Sequence, residues 1–145
     1  MATLKMINKT YTGETAYFNV SRYISKSSKF LAGIVPQLAA VDMQAVEAEY
    51  NDDSEANVLY HLIFSFCKSD KMSEDDICLL CNCIAKFYGK YQAVFAVEKV
   101  KSSTQLHVVI NAFSYIDGEP LFINKAGLQD LIGFCVPFIP RCTIK

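Results

Sequence analysis

The sequence predicts an α+β fold in which helices pack on an antiparallel sheet, and three observations carry that expectation. Val58 to Phe66 is a dense β-branched and aromatic run of strand length. Ser73-Glu74-Asp75-Asp76 opens an amphipathic segment with helical spacing. Tyr91 to Glu98 and Gln105 to Tyr115 are two further strand-like runs, separated by Lys99 to Thr104. That connection is short enough for a hairpin, so the two strands run antiparallel. No strict β-α-β alternation is present, which disfavours a parallel sheet.

In chain order, Thr3 to Ile7 alternates weakly and reads as a first strand. Thr12-Gly13-Glu14-Thr15 reads as a turn and helix start, and Ala16, Val20, Tyr23 and Ile24 follow at helical spacing. The polar run Ser25 to Lys29 reads as a loop. Residues 30 to 50 are interrupted by Pro36, and Val41 to Tyr50 fits either a helix or an edge strand. Asn51-Asp52-Asp53-Ser54 is a polar break. In the segment opened by Ser73, the N-cap, three acids occupy the first turn, where the helix dipole favours them. Ile77, Leu80, Cys81, Ile84, Phe87 and Tyr88 share its apolar face, and Gly89 ends it. Asp117-Gly118 is a turn. A last helix spans Lys125 to Phe134 and stops before Pro137 and Pro140.

With 145 residues, the chain is expected to form a single domain over 1–145 with a substantial core. Hydrophobic residues make up 52% and charged residues 20%, which excludes a disordered or fibrous chain. A net charge of -1 excludes a strongly basic nucleic-acid binder, so any such role rests on a local patch. No apolar run reaches the roughly 18 residues of a membrane span, and no signal-peptide core opens the chain. The six cysteines read as reduced thiols of a cytoplasmic protein. Cys78, Cys81 and Cys83 lack a second pair at zinc-site spacing and read as buried small hydrophobes.

The two histidines, His61 and His107, each lie in an apolar strand and read as hydrogen-bonded core residues. Gln105 shares a strand face with His107, and Glu98 lies on the neighbouring strand. These three form a polar trio in which His107 and Glu98 are ordinary metal ligands.

Residues 58 to 122 resemble the relaxase (mobilisation nuclease) domain of the HUH type. Four segments carry the likeness in order: Tyr60 to Phe66, Lys71 to Asp76, Tyr91 to Val97, and His107 to Gly118 with its Asn111 and Asp117-Gly118 turn. Upstream, Tyr23-Ile24-Ser25-Lys26 resembles the segment with the family's nucleophile. The resemblance implies a protein of plasmids and conjugative elements that nicks one DNA strand at a transfer origin. A histidine cluster there holds a divalent metal, and a tyrosine attacks the phosphate. Carried over, His107 matches the last ligand, Gln105 stands where a histidine precedes it, and Glu98 falls at or beside the first. Val100 stands near a usually acidic position, and Ser103 replaces a further frequent histidine.

Tyr23 is the nucleophile that the resemblance implies, and an aromatic packed on the sheet as the residues alone read. Arg22, Lys26, Lys29, Lys99 and Lys101 are the candidate DNA contacts. The expected cofactor is Mn²⁺ or Mg²⁺, weakly bound or absent, because glutamine is a poor ligand. Three functions follow: a single-stranded DNA-binding relaxase-like domain with weak or lost nicking, a non-enzymatic module binding other mobilisation proteins, and an active nuclease with an unusual Glu98/Gln105/His107 site. The run Cys135 to Lys145 reads as a domain edge as much as a terminus, so the chain also fits the front end of a longer relaxase.

Overall fold

The computed structural model describes residues 1–7, 29–30, 39–51 and 57–145. Six described strands form one sheet: β1 (Ala2–Met6), β2 (Lys29–Phe30), β3 (Leu59–Cys67), β4 (Tyr91–Val100), β5 (Ser103–Ser114) and β6 (Cys142–Ile144), in the order β2-β4-β5-β3-β1-β6. All neighbours are antiparallel except β1 and β6, which run parallel. Three described α-helices accompany them: α1 (Ala39–Tyr50), α2 (Glu74–Phe87) and α3 (Lys125–Phe134). The α+β class and the β4–β5 hairpin are as the sequence predicts.

Several elements differ from expectation. Lys29, read as loop, pairs with Val97 in the two-residue strand β2. The ambiguous segment before Asn51 is helix α1. Its residues alternate small apolar and polar types without a clear stripe, but Ala, Met, Gln and Glu are strong helix formers. The β4–β5 connection is tighter than Lys99 to Thr104, because Lys99 pairs with Thr104 and Val100 with Ser103. Residues 142–144, which carry no strand pattern in the sequence, add to β1, with the Ala2 amide donating to Arg141 O at 3.0 Å. The helix expected from Ala16 to Ile24 lies outside the described residues.

The central strand β5 pairs along its length with both β3 and β4. Alternation then sorts its side chains to two faces. Leu106, Val108 and Ile110, with Leu62 and Phe64 of β3 and Phe95 of β4, face α2 and α3 and meet Leu80, Ile84 and Leu131 in the main core. Ser73 caps α2 as expected: its Oγ accepts from the Asp76 amide at 3.1 Å, and its own amide donates to Asp76 Oδ2 at 2.9 Å. Asn124 Oδ1 likewise accepts from the Gly127 amide at the start of α3.

The opposite face carries Gln105, His107, Val109 and Asn111 of β5, with His61 of β3 and Glu98 of β4. Helix α1 packs on β5 here. Fully buried Asn111 holds it: its Nδ2 donates to Met43 O of α1 at 3.1 Å and to Gln92 Oε1 at 2.8 Å. Gly118 ends the turn after β5 with φ +73°, and the ring of Tyr50 lies where a Cβ would project.

Candidate functional site

Register builds the site. In the β4–β5 hairpin Glu98 sits opposite Gln105, and Ala96 sits opposite His107. Glu98 and His107 are therefore diagonal neighbours on one face, within reach of long side chains. The β3–β5 register sets His61 opposite Val109, which makes it diagonal to His107 from the other side.

The side chains form a chain of hydrogen bonds. His107 Nε2 lies 3.0 Å from Glu98 Oε2, and His107 Nδ1 lies 2.9 Å from His61 Nε2. The carboxylate accepts from His107 Nε2, and in the neutral imidazole Nδ1 is then the acceptor. That acceptance requires His61 to carry its proton on Nε2. The result is a directed relay, His61 to His107 to Glu98, running from two buried rings to a carboxylate that is 31% exposed. Both histidines are hydrogen-bonded core residues, as expected of each. That they partner one another follows from the strand register, and His61 is the site residue that sequence reasoning missed.

Burial, aided by the neighbouring His107 ring, lowers the His61 pKa from 6.5 to about 4. Between those values the unfolded chain binds a proton at His61 that the folded chain excludes. Stability is therefore full above about pH 6.5 and falls as pH drops toward 4, by on the order of 3 kcal/mol. Denaturant titrations at pH 7 and pH 5 should show about 2 kcal/mol of this loss in the wild type and a smaller one in His61→Gln. Equal slopes in the two proteins would show that His61 does not carry the effect.

The residues fit a divalent ion only in part. Glu98 and His107 can direct one oxygen and one nitrogen at a common point, but His61 meets the far side of the His107 ring and cannot converge on the same ion. Gln105 is half-buried beside Glu98 and offers a weak amide oxygen. A catalytic ion wants three protein ligands, and among the described residues no group of three or more metal-ligating side chains converges. Glu98, His107 and Gln105 by themselves do not fit a tightly held ion.

The other expected site residues are dispersed. Tyr23, Arg22 and Lys26 lie outside the described residues, and of Lys29 the backbone alone is described. Lys99 follows Glu98 on β4 and so projects from the opposite face, and Lys101 is in the tight loop beyond; both are exposed. Asn111, part of the motif that carried the likeness, braces helix α1. All six cysteines are free thiols, with Cys81 and Cys83 buried as expected and Cys78 partly exposed. None of the described helices is long and apolar enough to cross a membrane.

Residues 22–135 match the family model described as relaxase, MobA/VirD2-like, nuclease domain. Among solved structures, the chain is similar to the MobM relaxase domain (MOBV; Mob_Pre) bound to 26-nucleotide pMV158 oriT DNA. The likeness has a TM-score of 0.68 at 12% identity and covers 97% of this chain and 89% of that one. At that identity it establishes a shared fold. No curated protein sequence matches significantly.

Proposed function

The chain belongs to the MobA/VirD2-like relaxase nuclease-domain family, and from that premise we propose that it binds single-stranded DNA at the transfer origin of a plasmid or other mobile element, with nicking weak or lost. One observation carries the second half of this reading. Both ring nitrogens of His107 are engaged, one by Glu98 and one by His61, and a glutamine stands where the family has a histidine. The fold is kept while the Lewis-acid site lacks donors. Any Mn²⁺ or Mg²⁺ is held weakly, through Glu98 and His107.

The DNA half is supported by family membership and by a fold shared with a relaxase solved on oriT DNA. Lys99 and Lys101, with Arg22, Lys26 and Lys29, supply the backbone charge, and Tyr23 is the residue to test as nucleophile. The chain acts as one relaxase-like domain in the cytoplasm, alongside other mobilisation proteins in conjugative transfer.

Fluorescence anisotropy with a single-stranded hairpin oligonucleotide tests the binding. With about four phosphate contacts, affinity should fall roughly 50-fold between about 50 and 200 mM salt. No binding at the lower salt would overturn the DNA reading and favour the protein-binding module. A denaturing gel after incubation with Mn²⁺ tests the chemistry, and no covalent protein–DNA adduct is expected. An adduct that disappears in Tyr23→Phe would instead identify an active nuclease.

A further inference from the structure

Lys99 and Lys101 do not stand alone at the hairpin tip. Lys68 and Lys71, from the turn that leaves β3, line the same groove, whose volume is about 500 Å³. All four lysines are exposed, and no carboxylate among the described residues lines the groove. None of the four pairs with a carboxylate among the described residues. In a chain of net charge -1, four ammonium groups around one depression, without an ion-pair partner among the described residues, are a local excess that an anion would relieve.

A second observation falls on the same residues. Lys71 (φ 52°) and Lys101 (φ 51°) are the two non-glycine residues with left-handed backbone among the described residues. Lys71 caps the turn that leaves β3, its amide donating to Lys68 O at 3.3 Å, and Lys101 lies in the two-residue loop between Val100 and Ser103, so each turn sets its own left-handed residue. The two turns thereby bring their lysines to one groove.

The groove is not part of the histidine site. Lys99 pairs with Thr104 and Thr104 with Phe66, a core residue on the α2–α3 face. Glu98, Gln105 and His107 occupy the other face, and the tip of the β4–β5 hairpin separates the two.

We propose that the four-lysine groove is a second nucleic-acid contact that grips backbone phosphates, so that a strand bound on the His107 face rounds the hairpin tip onto the helix-covered face. It rests on the DNA-binding reading above and adds where the strand goes next. The contact is to phosphate and is indifferent to base sequence.

The double variant Lys68→Gln/Lys71→Asn tests it, with asparagine chosen because it tolerates the left-handed backbone. Both positions are exposed and form no ion pair with another described residue, so the melting temperature should not change. For a long single strand the salt slope should become shallower by about 1.4, roughly 0.7 per lost phosphate contact. An oligonucleotide too short to round the tip should bind both proteins alike. Exposed Cys67 lines the same groove, and the hydrogen bond from Ser69 Oγ at 2.9 Å lowers its thiol pKa. Its alkylation, followed by peptide mass mapping, should therefore slow when the long strand is bound. Wild-type binding with an unchanged slope in the variant, or with Cys67 unprotected, would overturn the groove alone. No wild-type binding would overturn the DNA reading and the groove together.

Discussion

His107→Leu is expected to lower the unfolding free energy by roughly 2–4 kcal/mol at pH 7. Leucine fills much of the imidazole volume, so the loss reflects hydrogen bonding more than cavity. It strands two groups at once: the buried Nε2–H of His61 loses its acceptor, and Glu98 loses its donor. The His61 proton is the costlier of the two, since that ring is 5% exposed while Glu98 can still reach water. The double variant His61→Leu/His107→Leu should recover part of the loss, because replacing both partners with apolar groups removes the unsatisfied donor. Denaturant titration of the two proteins reads this directly. A loss under 1 kcal/mol in His107→Leu would show that the relay contributes little to stability. Calorimetric titration with Mn²⁺ should give weak heats in the wild type that disappear in His107→Leu. Micromolar binding in the wild type would contradict the two-donor reading of the site.

Phe64→Ala is expected to cost roughly 3–5 kcal/mol, the range for large aromatics truncated in a close-packed core. Phe64 is fully buried in the middle of β3, opposite Leu4 of β1 and Leu106 of β5, with the Phe66 ring 6.4 Å away and nearly parallel. Strands on both sides fix its surroundings, so the cavity cannot collapse easily. Its neighbour Ile63 faces the other side of the sheet, opposite His107. The loss should therefore appear as global destabilisation, with the relay itself intact. Phe122, which is 83% exposed, is the control: alanine there should change stability by less than about 0.5 kcal/mol. A Phe64→Ala protein with near-wild-type stability would mean that this region repacks around the missing ring.

The elements legible in the chain were those whose signals are local. Ser73 and Asp76 are three residues apart and cap α2 reciprocally without help from the rest of the molecule. The Lys99–Thr104 connection is too short for anything but a hairpin, and the hairpin sets Glu98 and Gln105 across from each other. Strand alternation places Gln105 and His107 on one face whatever surrounds them. Even the choice between helix and strand before Asn51 was close to the limit, because α1 has no clear apolar stripe and only residue propensity favours the helix.

What remained hidden depends on contacts distant in sequence. His61 and His107 are 46 residues apart, and only the β3–β5 register makes them diagonal neighbours; a slip by one residue would put His61 on the other face. Strand β6 has no strong pattern of its own and is defined by the edge of β1 that it covers. Lys68 and Lys71 meet Lys99 and Lys101 because β3 and the β4–β5 hairpin end at the same side of the sheet. Composition and short-range spacing thus determined the class, the caps and the hairpin. Tertiary pairing alone decided which histidine supports which, and which lysines share a groove, because register is set by burying one whole face of the sheet rather than by any single residue's preference.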